Sequence, residues 1–314
     1  MKKVILLVGP TCAGKTSVSI LLAKALQSEI ISADSMQIYR HMNIGTAKPS
    51  VEQQRHIKHH LIDVLEPWES FSTGMFIGMA RPIIDSLLER GKVPVIVGGT
   101  GLYIKAMTRG IFSGPVADWD LRNDLLRKEG AKPGTLYAHL EDLDADAASR
   151  IMPADKRRII RALEVCLKSE MKLSELHKEL TIPLPYEFIK IGLTRERKEL
   201  YRLIEERVDL MMERGLPDEV KKVIRLIESN GPRPLPTDYS SMQAIGYKEM
   251  ASHLNGEISL QQAISLIKQR SRNYAKRQFT WFRKEEGIQW HDVTGMHEAH
   301  KIFDKIKEAV MPLL

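Results

Sequence analysis

Apolar and polar positions change their period several times along this chain. Residues 4–8, VILLV, form an unbroken apolar run, the pattern of a strand buried on both faces of a parallel sheet. Beyond a glycine-containing turn, Val18, Leu21, Leu22, Ala25 and Leu26 share one helical face and predict a helix over about 17–26. EIISADS then reads as a second strand ending at Ala33, with Asp34 just past its carboxyl end. A helix near 74–90 buries Phe76, Met79, Ile83, Ile84 and Leu87, and Gly91 is placed to stop it. VPVIVGGTG predicts a third strand running into a glycine turn. Alternating strands and helices of this kind imply an α/β domain with a parallel sheet.

From about 118 to 178 no strand pattern occurs, and short charged helical stretches such as WDLRNDLLRKEG and DKRRIIRALEVCLKS take over. PYEFIKIGLT (185–194) resumes the apolar texture, with 188–193 returning to the sheet. The simplest organisation is an α/β core, 1–117 and 185–314, carrying an all-helical insertion over 118–184. Residues 195–284 are mostly helical, and IQWHDV (288–293) predicts a last strand with a terminal helix after it.

Residues 9–16, GPTCAGKT, match the phosphate-loop pattern G-x-x-x-x-G-K-[ST] and sit between a strand and a helix. Gly9 and Gly14 let backbone N–H groups turn inward toward anionic oxygens. Lys15 adds a point charge, the Thr16 hydroxyl suits Mg²⁺, and the following helix adds its positive end. The loop alone does not choose between ATP and another di- or triphosphate. Asp34, at the carboxyl end of the second strand, faces the crevice where ligands of open α/β sheets bind. It suits a proton acceptor or a water-mediated Mg²⁺ ligand; a helix-capping or turn aspartate is the alternative, and its position at the strand end favours the site. The GGTG at 98–101 has bare backbone that would let a ligand approach closely. Arg207 falls on the apolar stripe of Leu200, Ile204 and Met211. That position needs an anionic partner, a diphosphate or a neighbouring glutamate, or a snorkelling side chain.

Composition and charge shift the reading toward an RNA substrate. The chain has 314 residues and a net charge of +7, a balance that suits a polyanionic partner. KQRSRNYAKRQFTWFRK (268–284) holds seven Lys/Arg and no Asp or Glu, interleaved with Tyr274, Phe279, Trp281 and Phe282. That mixture suits single-stranded nucleic acid, or an amphipathic helix with a basic outer face. KRRIIR (156–161) is a second basic cluster. The two cysteines, Cys12 and Cys166, form neither a disulfide scaffold nor a zinc motif. No apolar stretch has the length of a membrane span, and the five-residue run after MKK lacks a signal peptide's cleavage site. A cytoplasmic enzyme is expected.

Together these segments resemble the bacterial tRNA dimethylallyltransferase (tRNA isopentenyltransferase) family. GPTCAGKT, ISADSMQIYRHMNIGTAKP, HHLIDVLEP, VGGTGLY, RRIIRALEV, AIGYKEM and YAKRQFTWFR occur in the family's order, between residues 9 and 283. The resemblance implies a P-loop NTPase-like parallel sheet flanked by helices, and transfer of a dimethylallyl group from its diphosphate to N6 of the adenine 3′ of the anticodon. Gly9, Pro10, Thr11, Cys12, Ala13, Gly14, Lys15 and Thr16 would hold dimethylallyl diphosphate. Thr16 would bind Mg²⁺, with Asp34 reaching it through water. Asp34 would take the adenine's proton and Arg207 would steady the leaving pyrophosphate. Contacts to tRNA would come from Asp34, Ser35, Met36, Gln37, Thr100, Arg122, Arg157, Arg158, Ile159, Ile160, Arg161, Gln243, Ala244, Ile245, Gly246, Tyr247 and Lys248. The insertion would grip the anticodon stem-loop, and the family expectation is a monomer. The chain departs from the family in carrying Cys12 where alanine is usual, and it lacks the cysteines of the zinc finger found in some eukaryotic relatives. The loop and Asp34 alone would permit a small-molecule kinase; a nucleotide-switched RNA-binding protein and a prenyltransferase acting on free AMP or ATP are the other competing readings.

Overall fold

A computed structural model describes residues 2–112, 114–179, 181–232 and 239–313. The apolar run at the amino terminus becomes β1 (Lys3–Val8), whose last five residues are buried. It is followed by β2 (Ile30–Ala33), β3 (His59–His60), β4 (Val95–Gly98), β5 (Glu187–Thr194) and β6 (Ile288–Asp292). All pair in parallel, in the order β3-β2-β4-β1-β5-β6. β1 is central: Leu6 stands opposite Ile96 on one side and Lys190 on the other. This explains the unbroken apolar pattern, because a strand with neighbours on both edges and helices on both faces has no wet side. The two-residue β3 escapes the sequence pattern because it is short and consists of two histidines.

The chain divides into two compact units. The first, Met1–Lys105 with Pro185–Leu314, holds the whole sheet. Its core joins Leu7, Ile191 and Leu193 to Val18 and Leu22 of the helix Lys15–Ala25 and to Ile302, Ile306 and Val310 of the helix Ala299–Val310. The predicted helix near 74–90 is Thr73–Glu89; Ser72 caps it by accepting from Met75 N–H, and Gly91 follows at φ 70°.

The second unit, Ala106–Leu184, opens upstream of Asp118 and contains no strand among its described residues. Its helices include Trp119–Ala131, Thr135–Leu143 and Lys156–Ser169. They enclose a core of their own built on Leu125, Leu136, Leu140, Ile159 and Leu163. Among the described residues, no helix is long and apolar enough to cross a membrane.

Candidate active site

The phosphate loop leaves β1 through Gly9 at φ 140°, where a Cβ would lie 2.5 Å from the Leu193 carbonyl oxygen. Only glycine fits there, on grounds of both conformation and space. Gly14, at φ 98°, is the left-handed N-cap of the helix Lys15–Ala25. The helix therefore begins with its unpaired N–H groups directed into the loop, as an anion requires. The Lys15 ammonium lies over the loop and donates to the carbonyls of Gly9 (2.9 Å) and Pro10 (2.7 Å). Burial, and then the Arg207 charge, bring its pKa down to about 8.

Asp34 projects into the same cavity as Thr11, Cys12, Lys15 and Thr16. Its Oδ1 accepts from Met36 N–H (2.8 Å) and Gln37 N–H (3.3 Å), which fixes the carboxylate and leaves Oδ2 to the cavity. Burial raises the Asp34 pKa despite those two donors and the opposing charges of Lys15 and Lys48. Beside it, Thr100 Oγ1 accepts from Ser35 N–H at 3.1 Å. Gln37 braces the floor of the cavity: its Oε1 accepts from Ser32 Oγ (3.1 Å), and its Nε2 donates to the Thr46 (3.3 Å) and Ala47 (3.4 Å) carbonyls.

Arg207 comes from the helix Arg197–Glu213, where Leu200, Ile204 and Val208 are buried. It is half-buried, lines the cavity, and donates to Thr11 Oγ1 at 3.0 Å. Its hydrogen-bond partner on the stripe is thus the phosphate loop rather than a glutamate. Cys12, at φ 63°, packs against Leu200, Ile204 and Ala275, and its thiol faces the Leu203 carbonyl. Metal coordination rests on few protein atoms. Among the described residues no group of three His, Cys, Asp or Glu side chains could hold an ion. Thr16 and Asp34 sharing one cavity fit the smaller role that Mg²⁺ asks of a protein when phosphates and water fill most of its shell.

The glycine turn after β4 is closely packed by the protein itself. A Cβ on Gly98 would lie 2.1 Å from the Ala33 carbonyl oxygen, one on Gly99 2.1 Å from Gln278 Nε2, and one on Gly101 2.9 Å from the Trp281 ring. The bare backbone there admits the protein's own atoms, and Gly98 and Gly99 also line the cavity.

The residues expected to meet RNA separate by exposure. Arg122 makes a two-pronged bond to Glu164 (2.9 and 2.8 Å), which Arg161 also contacts, and the Glu164 carboxylate is 0% exposed. Ile159 and Ile160 are buried in the second unit's core, and Ala244, Gly246 and Tyr247 are buried in the first. Tyr247 instead donates to Glu219, whose carboxylate also takes the N–H groups of Asn43, Ile44 and Gly45. Arg157, Arg158, Gln243 and Lys248 are on the surface, and Ile245 is half-buried. In the helix Leu260–Phe282, three basic residues are already paired: Lys268 with Asp209, Arg270 with Glu249, and Arg272 with Glu205. Lys276, Arg277 and Arg283 are exposed and have no acidic partner among the described residues, and Trp281 is 41% exposed. Phe282 is core, Phe279 packs on Leu200 and Ile204, and Tyr274 and Gln278 line the cavity. The aromatic interleaving is thus mostly an inner face, and Tyr274 and Gln278 are site residues that the basic pattern concealed. Their i, i+4 spacing, with Ala275 and Phe282 on neighbouring positions, is the signal that places them inward.

Family models match the chain twice: IPP transferase over residues 37–285 and isopentenyl transferase over residues 2–64. A tRNA dimethylallyltransferase of Thermodesulfovibrio yellowstonii is 53% identical over 315 aligned residues, covering 100% of this chain and 99% of the relative. One from Thermotoga maritima is 42% identical, covering 98% of each. Among solved structures, the tRNA isopentenylpyrophosphate transferase of Bacillus halodurans superposes with a TM-score of 0.72 at 42% identity, over 99% of this chain and 96% of that one. A eukaryotic dimethylallyltransferase acting on tRNA superposes with a TM-score of 0.86 at 30% identity, over 99% and 79%.

Proposed function

The chain belongs to the IPP transferase family, and from that premise we infer how its cavity works. The protein is a tRNA dimethylallyltransferase. It transfers the dimethylallyl group of dimethylallyl diphosphate to N6 of the adenine immediately 3′ of the anticodon, in tRNAs that read codons beginning with U, and releases pyrophosphate. The observation that carries the residue assignment is the meeting of the phosphate loop, Arg207 and the Asp34 carboxylate in one cavity.

In this reading the loop 9–16 holds the diphosphate, which lies on the N–H groups of Gly14, Lys15 and Thr16 at the start of the helix Lys15–Ala25, and Lys15 leaves its carbonyl partners to meet it. The C1–O bond breaks, and its electron pair goes to pyrophosphate. The charge that grows there is held by the N–H groups at the helix start, by Arg207 and by Lys15. The N6 lone pair forms the new bond to C1, and Asp34 Oδ2 takes the proton that N6 gives up. Its raised pKa makes Asp34 a stronger base than an exposed carboxylate. Bound Mg²⁺, held by Thr16 and through water by Asp34, would neutralise part of the diphosphate charge. The adenine must leave its stack to reach C1, and the exposed cations Lys276, Arg277 and Arg283 of the first unit are suited to RNA phosphates, as Arg157 is on the second. We take the enzyme to act as a cytoplasmic monomer.

The test is direct. Purified protein is incubated with dimethylallyl diphosphate, Mg²⁺ and unmodified tRNA, and the digested nucleosides are read by mass spectrometry. N6-dimethylallyladenosine is expected. Product from free AMP but none from tRNA, or phosphorylation by ATP in its place, would replace this reading.

A further inference from the structure

We propose that Gln278 is a positioning residue that ties the phosphate loop to the glycine turn after β4 and so sets the affinity for the diphosphate donor. The proposal rests on the prenyl-transfer reading only in naming that donor.

Gln278 is 3% exposed, on a helix whose neighbouring positions Lys276 and Arg277 are exposed. A buried primary amide must satisfy a carbonyl and an NH₂ group, and each one left unpaired is costly. Here both are paired across the site. Oε1 accepts from Thr11 N–H at 2.8 Å, and Nε2 donates to the Gly99 carbonyl at 3.0 Å. Thr11 is in the phosphate loop leaving β1. Gly99 follows β4, which pairs with β1 through Leu7 and Val97. One side chain thus spans the ends of two adjacent strands at the edge where the donor would sit.

Thr11 is held twice, its N–H by Gln278 and its hydroxyl by Arg207. Gln278 therefore also steadies the group on which the leaving-group arginine rests. The turn is shaped to receive it, since a Cβ on Gly99 would stand 2.1 Å from Nε2. A loop fixed before the ligand arrives loses less freedom on binding than one that must be ordered by it.

Three variants, Gln278→Met, Gln278→Asn and Gln278→Glu, are compared with wild type. Pyrophosphate binding is read by calorimetry, KM is measured separately for dimethylallyl diphosphate and tRNA, and thermal unfolding is followed in parallel. Gln278→Met keeps the length and removes both hydrogen bonds. It is expected to raise the pyrophosphate Kd and the donor KM by roughly tenfold, with the tRNA KM within about twofold. Gln278→Asn, one methylene shorter, should behave similarly and serves if the methionine variant does not fold. Gln278→Glu keeps an acceptor for Thr11 but places a carboxylate near the diphosphate, and should lose more. Gly99→Ala should weaken pyrophosphate in wild type and much less in a Gln278→Ala background, since the clash is gone. Unchanged donor constants in a folded variant, donor and tRNA KM values that rise together as the melting temperature falls, or additive Gly99 and Gln278 effects would each overturn the proposal. Pyrophosphate calorimetry needs no turnover, so it tests Gln278 even if wild type makes no prenyladenosine.

Discussion

Asp34 and Lys15 carry the site's pH behaviour, and the two move in opposite directions from their ordinary values. Burial raises the Asp34 pKa, and the base must be ionised to take a proton. The acid limb of kcat/KM should therefore lie above the usual carboxylate range, with activity lost as pH falls through it. Asp34→Asn should lower kcat by roughly 10²- to 10⁴-fold and remove that limb, while pyrophosphate and tRNA still bind. Lost binding in the variant would mean that Asp34 is structural. Lys15 has a pKa of about 8, lowered by burial and then by Arg207. A bound diphosphate favours the charged ammonium, so the complex holds more protons than the free protein above pH 8. Pyrophosphate affinity should accordingly fall as pH rises through about 8. Calorimetry in buffers of different ionisation enthalpy should show proton uptake on binding near that pH, and its absence would place the charge elsewhere.

At the scale of elements, the helix Leu260–Phe282 shows why a basic run is a poor guide to contact. Seven basic residues occur between 268 and 284, but Lys268, Arg270 and Arg272 are paired with acids on other helices. Each pair joins this helix to another helix of the first unit. Lys276, Arg277 and Arg283 are the ones presented outward. Neutralising any of these three should weaken tRNA binding and reduce the slope of log K against log salt by roughly one. Removing Lys268 should leave that slope nearly unchanged. Equal slopes for both sets would contradict this division. The same logic applies in the helix Lys156–Ser169, where Arg161 contacts the buried Glu164 while Arg157 is exposed. Burial pushes the Glu164 pKa up, but the Arg122 hydrogen bond and the other donors prevail and hold it low. This contribution to the second unit's stability is present above the ordinary glutamate pKa and is lost as pH falls through the depressed one. The long helix was legible from its periodicity. The division of its charges was not, because a salt-bridge partner distant in sequence leaves no periodic signal.

At the scale of the whole molecule, the chain leaves its sheet unit after Lys105 and re-enters at Pro185, and the intervening residues have their own core. Replacing 106–184 by a flexible Gly/Ser linker should leave pyrophosphate binding within a few fold while tRNA binding falls steeply. Loss of pyrophosphate binding would mean that the sheet unit does not stand without the insertion. The sequence by itself determined the parallel sheet, the phosphate loop and the placing of Asp34 at a strand end. These depend on interactions local in the chain: runs that must be buried, turns that need glycine, and a helix that starts where anions bind. The tertiary structure alone decided what occupies the glycine turn, which arginines are already paired, and that Tyr274 and Gln278 of a basic helix face the cavity. Those outcomes depend mostly on partners distant in the chain, from Arg270 with Glu249 and Arg272 with Glu205 to Thr11 with Gln278 and Arg207 with Thr11, which meet only when the chain folds.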